Sequence, residues 1–226
     1  MSAQPVTGDG ELAGAPAAGA DRSRQGVQRV FDVALATVAM LVAAPVFLVA
    51  WLLVVLTSSG PGLFRQTRVG RNGERFTMFK FRTMTVGTGD EEHRAYVRAL
   101  LTGDAVMVDG LYKLNEQSRM TRVGAVLRKL SIDELPQLLN VLRGDMSLVG
   151  PRPSLPWEAE LFPDWSAPRY RVPPGITGLW QVSGRNRLGM LDGLALDVEF
   201  VRRKSLWLYV VILAKTVPAL LRGGAR

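Results

Sequence analysis

From Val33 to Leu56 the chain runs for about two dozen residues without a charge, long enough to cross a bilayer core as one straight helix. A segment apolar on every face needs protein or lipid around it, and the remaining chain offers little protein for the purpose, so membrane insertion is expected. Pro45 lies in the middle of this segment. Arg22, Arg24 and Arg29 precede it, and Arg65, Arg68, Arg71, Arg75, Lys80 and Arg82 follow it. The preference for positive charge on the cytoplasmic side therefore asks both ends to lie on one face of the membrane. A helix broken at Ala44-Pro45 meets that demand by entering and leaving the same leaflet, with the backbone groups freed at the break taken up by the preceding turn or by Thr57 and Ser58. A kinked single-pass helix is the alternative.

The other periodicities are shorter. Residues 1–21 are rich in Ala, Gly and Pro with almost no large apolar side chains, which predicts a disordered tail; residues 22–59 form the membrane element, 60–221 a cytoplasmic domain, and 222–226 a flexible end. Asn72-Gly73 between Val69 and Phe76 predicts a β-hairpin whose second strand carries Phe76, Met78 and Phe81. Helical spacing recurs at Glu91–Leu101, with Tyr96, Val97, Leu100 and Leu101 inward. It recurs at Thr121–Lys129, with Val123, Val126, Leu127 and Leu130 inward and Arg122, Arg128 and Lys129 outward. Leu206–Leu221 reads as an apolar helix carrying Lys215 and Pro218, lying on a membrane face rather than spanning it. The fold class expected is α/β, mainly helical: a small membrane-associated catalytic domain with one short β-hairpin.

The densest chemistry lies in Ser131–Pro153, SIDELPQLLNVLRGDMSLVGPRP. Asp133 and Glu134 stand just ahead of an apolar helical segment that Pro136 allows to begin near Asp133 to Leu135 and that Gly144 stops. At a helix start the acidic pair faces the positive end of the dipole and unpaired N–H groups that also suit phosphate. A plain capping box, Ser131 with Glu134, explains the same residues structurally. Arg152 sits between two prolines, and Gly184-Arg185-Asn186 puts a guanidinium where close approach to phosphate is easy, though a β-turn accounts for it as well. Pro173-Pro174-Gly175 reads as a turn with Gly175 free to take positive φ. His93 reads as a solvated surface residue.

Composition narrows the chemistry without choosing it. The chain has no cysteine and one histidine, so a thiolate or histidine metal cluster is not expected, and any metal would be a hard ion on carboxylates. Its net charge of +8 asks for an anionic partner: nucleic acid, a phosphorylated substrate or anionic lipid.

The run from Thr121 to Pro153, with Lys80–Met84 (KFRTM) and Pro173–Asn186 (PPGITGLWQVSGRN), resembles the signature of the bacterial sugar transferase family, the monotopic phosphoglycosyl transferases. The resemblance covers about Arg29 to Val217. It implies transfer of a sugar 1-phosphate from a UDP-sugar to polyprenyl (undecaprenyl) phosphate, releasing UMP, as the first step of bacterial exopolysaccharide, O-antigen or capsule repeat-unit assembly. It implies Asp133 as nucleophile and Glu134 as its partner, the two helping to place Mg²⁺; Lys80 and Arg82 beside the site; Arg152, Arg185 and Asp197 for phosphate or substrate; and Ala44-Pro45 at the bend of a re-entrant hairpin. The implied location is the bacterial inner membrane with the catalytic domain on the cytoplasmic face, in contact with lipid and not with nucleic acid, a homo-oligomer being left open. Two positions depart from the family pattern. Gln117-Ser118-Arg119 stands where Asp-Pro-Arg is usual, and Tyr209 where a later aspartate is usual. The rival reading is a non-catalytic, basic, membrane-attached module binding anionic lipid or nucleic acid; it leaves the acidic pair unused.

Overall fold

The computed structural model describes residues 18–85, 91–102, 120–184 and 187–221, with no side chain described for 18–25, 92, 220 and 221. One helix, α1 (Ala18–Thr57), forms a long flank of the molecule. The last four residues of the expected tail belong to it; the others lie outside the described residues, as do 222–226. Pro45 sits inside α1, which continues as a single helix across Ala44-Pro45 rather than dividing into two. Thr57 and Ser58 do not serve a break at Pro45. Their hydroxyls donate to the carbonyls of Leu53 (2.5 Å) and Val54 (2.8 Å), at the far end of the helix.

Both halves of α1 pack on the same domain. β1 (Leu63–Val69) and β2 (Arg75–Phe81) form the expected antiparallel hairpin, Val69 opposite Arg75, closed by a turn in which Asn72 and Gly73 take φ of 56° and 78°. That left-handed pair is the conformation the Asn-Gly dipeptide favours. Met78 joins Ala36, Leu138, Val141 and Met146 in one core, and Phe81 joins Ala50, Val54 and Leu127 in another. One strand of the hairpin thus seats the early and the late half of α1.

α3 (Arg122–Lys129) starts at Thr121, whose hydroxyl accepts from Gly124 N (2.9 Å). Its apolar side is narrower than the spacing implied. Leu127 is buried, but Val126 and Leu130 are exposed beside Arg122 and Lys129, so the outer face mixes apolar and basic groups. α4 (Gln137–Arg143) is stopped by Gly144 at φ 98°. Asn140, wholly buried on α4, pins the hairpin: its side chain accepts from Phe79 N (3.0 Å) and donates to Thr77 O (2.7 Å).

The sequence reading held no sign of a second sheet. β3 (Ser147–Val149) and β4 (Gly175–Thr177) pair in parallel, Ser147 with Gly175 and Val149 with Thr177. Gly175 is needed for close approach and not for positive φ: a side chain there would overlap the backbone of Gly150. Gly178 meets the carbonyl of Gly150 in the same way. The glycines of two separated blocks therefore let the Gly150 and Gly175–Gly178 backbones touch. α5 (Pro156–Leu161), α6 (Leu179–Ser183), α7 (Met190–Arg203) and α8 (Leu206–Leu221) complete the fold, and α2 (Glu91–Thr102) packs against α5 and α7.

The early part of α1 is fastened by buried polar groups. Asp32 accepts from Leu148 N (2.8 Å), from the Ser147 hydroxyl (3.0 Å) and from the Tyr209 phenol (2.8 Å). Arg29 donates to the carbonyls of Val141 and Leu142, which close α4. Tyr209, at the position of the missing family aspartate, is thus a structural donor joining α8 to α1 and β3. Burial, with the Asp32 carboxylate beside it, pushes its phenol up, so the proton stays on the donor.

Candidate active site

The acidic pair does not lie in the first turn of α4. Ile132–Glu134 forms a short 3₁₀ turn, and α4 starts after Pro136. Ser131 makes no capping bond; it adopts the left-handed region (φ 56°, ψ 19°), uncommon for a residue with a side chain. The capping-box reading fails for the same reason, because Glu134 points to Lys80 (Oε1 to Nζ, 3.4 Å) instead of to the Ser131 backbone. Glu134 is thus paired with a side-chain cation from β2.

A cavity of about 250 Å³ opens over this turn. Its walls include Asp133 and Glu134, Lys80 from β2, Arg152 from the loop after β3, and Arg128 from α3. Asp133 is buried, at 8% exposure. Burial pushes the Lys80 ammonium down, against the pull of Glu134 and Asp133 and with further push from Arg152. Arg152 is the exposed residue in a stretch where Pro151, Pro153 and Ser154 are buried, so its side chain alone reaches from that backbone into the cavity.

The structure separates the remaining site residues named from sequence. Arg82 is buried behind β2 with its guanidinium on the carbonyls of Val54, Ser58 and Pro61 and on the Ser58 hydroxyl. It closes the C-terminus of α1 and does not line the cavity. Arg82 lies one residue past the end of β2, where its N–H still pairs with the Gly62 carbonyl and its side chain meets the last turn of α1. Asp197, fully buried, pairs with Arg169 (2.7 Å) and lies behind the cavity wall. Arg185 lies outside the described residues.

Several cavity residues carried no signal in the sequence. His93 on α2 faces the cavity, 3.6 Å from Glu158 and edge-on to Trp157, instead of standing in solvent. Glu158 caps α5 at Leu155 N (2.7 Å) and lies 3.8 Å from Arg68. Gln181 lines the cavity with a buried side-chain oxygen that has no partner among the described residues, an acceptor ready for a substrate hydroxyl or amide. Only its place in the PPGITGLWQVSGRN block could have flagged it.

Burial pushes the Asp197 carboxyl up to about 6, against the pull of Arg169. A carboxyl whose folded value lies above its unfolded one binds its proton more tightly when folded. Its contribution to stability is therefore complete below about pH 4 and is lost as pH rises through about 6. Melting temperature measured from pH 4.5 to 7 is expected to include this downward component, and Asp197→Asn to lack it; parallel curves for the two proteins would contradict the assignment.

A carboxylate pair with lysine and arginine over one cavity suits phosphoryl chemistry, and the comparisons decide the family. The model of the bacterial sugar transferases matches residues 23–223. The chain belongs to that family. It is 45% identical over 193 residues to the exopolysaccharide production protein ExoY of Rhizobium meliloti (strain 1021), covering 85% of this chain and 84% of that one. It is 43% identical over 204 residues to the UDP-glucose:undecaprenyl-phosphate glucose-1-phosphate transferase of Caulobacter vibrioides, covering 86% and 69%. It is 38% identical over 206 residues to the undecaprenyl-phosphate galactose phosphotransferase of Salmonella typhimurium, covering 90% of this chain and 42% of that longer protein. As a bacterial sugar transferase this chain is an enzyme, which removes the non-catalytic module as the reading of its cavity.

Proposed function

We propose that the chain transfers a sugar 1-phosphate from a UDP-sugar to polyprenyl phosphate and releases UMP, with the phosphosugar carried in between on Asp133. The observation that carries this reading is the buried Asp133 carboxylate in the same cavity as Lys80 and Arg152. A carboxylate oxygen attacks the phosphorus that bears the sugar; the bond to the bridging oxygen breaks, and UMP leaves with that oxygen. A polyprenyl phosphate oxygen then attacks the same phosphorus, its proton passing to Glu134, and the Asp133 carboxylate is released. Lys80 and Arg152 hold the pyrophosphate oxygens and offset the charge that builds on them.

Mg²⁺ fits this donor set. Asp133 and Glu134 bring two carboxylates, hard oxygen donors, to the cavity wall. That suits an ion held by one or two carboxylates with substrate phosphates and water completing its shell. When bound, it would neutralise charge on the pyrophosphate.

The membrane arrangement follows from α1. Its outward face exposes Leu41, Val42 and Leu56, each at least 70%, and Gly26–Thr57 is long and apolar enough to cross a bilayer. Yet Asp32 and Ala36 near one end, and Ala50 and Val54 near the other, pack on one domain. With both halves of the helix seated on one domain, we read its two ends as lying on the same side of the membrane. This favours a membrane contact made from one side, with the exposed apolar flank of α1 and the exposed apolar side chains of α3 and α8 at the lipid surface.

The test is to supply membranes or detergent-solubilised protein with UDP-glucose or UDP-galactose labelled in the sugar. Rapid denaturation before polyprenyl phosphate is added should leave label on the protein with an equivalent of UMP released, and later addition should move that label into lipid. UMP release that requires polyprenyl phosphate, with no labelled protein, would replace the covalent route by direct displacement.

A further inference from the structure

Arg152 is useful only if its guanidinium is held over the cavity, and the backbone that carries it lies in no helix or strand. Its fastening comes from α7 and the turn before β4. Arg169, 3% exposed, donates from Nη2 to the Arg152 carbonyl (2.6 Å) and from Nη1 to the Ser154 hydroxyl (3.2 Å). The other side of the same guanidinium grips Asp197 Oδ2 through Nε (3.2 Å) and Nη2 (2.7 Å). The rings of Phe162 and Tyr170 lie 5.2 and 5.3 Å from it. Asp197 in turn feels the Arg152 backbone and guanidinium, both of which favour its charged form.

An ion pair so deeply buried is a poor source of stability, since desolvating both charges offsets most of their attraction. What it supplies is direction. A planar guanidinium locked by a carboxylate and two rings presents its remaining N–H groups at fixed angles. Here those groups meet the segment Arg152–Ser154.

We infer that Arg169 and Asp197 are positioning residues that act through Arg152, setting where its guanidinium meets the donor pyrophosphate. This rests on the reading of Arg152 as a phosphate ligand given above, and it gives the pair a role other than contact with substrate.

The experiment is a double-mutant cycle on the full-length protein in detergent, with UDP as an unreactive pyrophosphate probe and melting temperature followed in parallel. Arg152→Ala is expected to weaken UDP binding about tenfold or more, the loss of one charge-assisted contact. Asp197→Asn is expected to weaken it severalfold in the native background but less than about twofold when Arg152 is already alanine. Arg169→Lys, which keeps the charge beside Asp197 but loses the guanidinium contacts to the Arg152 carbonyl and the Ser154 hydroxyl, should follow the same pattern and serves in its place should Asp197→Asn fail to fold. Equal losses in both backgrounds would mean that the pair acts on the fold at large, and would overturn the inference alone. Undiminished UDP binding by Arg152→Ala would overturn the phosphate-ligand reading and the inference with it.

Discussion

Asp133→Asn should lose turnover by a factor on the order of 10³ or more, the scale seen when a covalent nucleophile is removed. The exchange keeps the shape of the side chain at a position only 8% exposed, so the 3₁₀ turn and the Lys80–Glu134 contact at 3.4 Å should persist. What disappears is the oxygen that attacks phosphorus. UDP binding measured without added metal should change little, and the protein should remain folded, because the shape of the side chain is kept. No label should be trapped on the protein. Glu134→Gln separates the two roles. The nucleophile remains, so an equivalent of UMP should appear in a fast first phase, followed by turnover slowed about 10² to 10⁴-fold, the range for a lost general base. If Asp133→Asn retains ordinary turnover, Asp133 is not the nucleophile.

That Asp133, Glu134, Lys80 and Arg152 belong together was legible through the resemblance of three separated blocks to one family, since spacing alone fitted a capping box as well; the structure brings the four to one cavity. The hairpin was legible through Asn72-Gly73, and the limits of α8 through an apolar run interrupted only by Lys215, Thr216 and Pro218. Arg82 was carried over from the same family block as Lys80, and the block could not show that its guanidinium meets the carbonyls at the end of α1 while the Lys80 ammonium meets Glu134. The pairing of Asp197 with Arg169 was not legible, because a buried pair and a substrate ligand use the same residue types. The β3–β4 pairing was invisible because each strand has three residues, too few for any period, and the partners lie far apart in the chain. His93 was taken for a surface residue because helical spacing gives the face of α2 that packs but not the cavity that its rim borders.

The Asp32 tie should prove as important to the fold as Asp133 is to the chemistry. Asp32→Ala leaves Leu148 N–H, the Ser147 hydroxyl and the Tyr209 phenol without their shared acceptor, two of them within 2.8 Å of it at present. Unsatisfied buried donors cost about 1 to 3 kcal/mol each. With partial relief by water, a loss of about 3 to 5 kcal/mol is expected. For a chain of this size that lowers the melting temperature by about 6 to 20 °C at roughly 2 to 4 °C per kcal/mol. Activity should fall with it, since β3 runs from Ser147 straight into the loop that carries Arg152. Tyr209→Phe is the milder cut: Asp32 keeps its other two donors, and the expected loss is about 1 kcal/mol. The order of the two variants is the discriminating result. The phenol is one donor among three while the carboxylate is the acceptor common to all, so Tyr209→Phe melting at or below Asp32→Ala would mean that α1, β3 and α8 are held together chiefly by apolar packing and that the buried carboxylate is incidental.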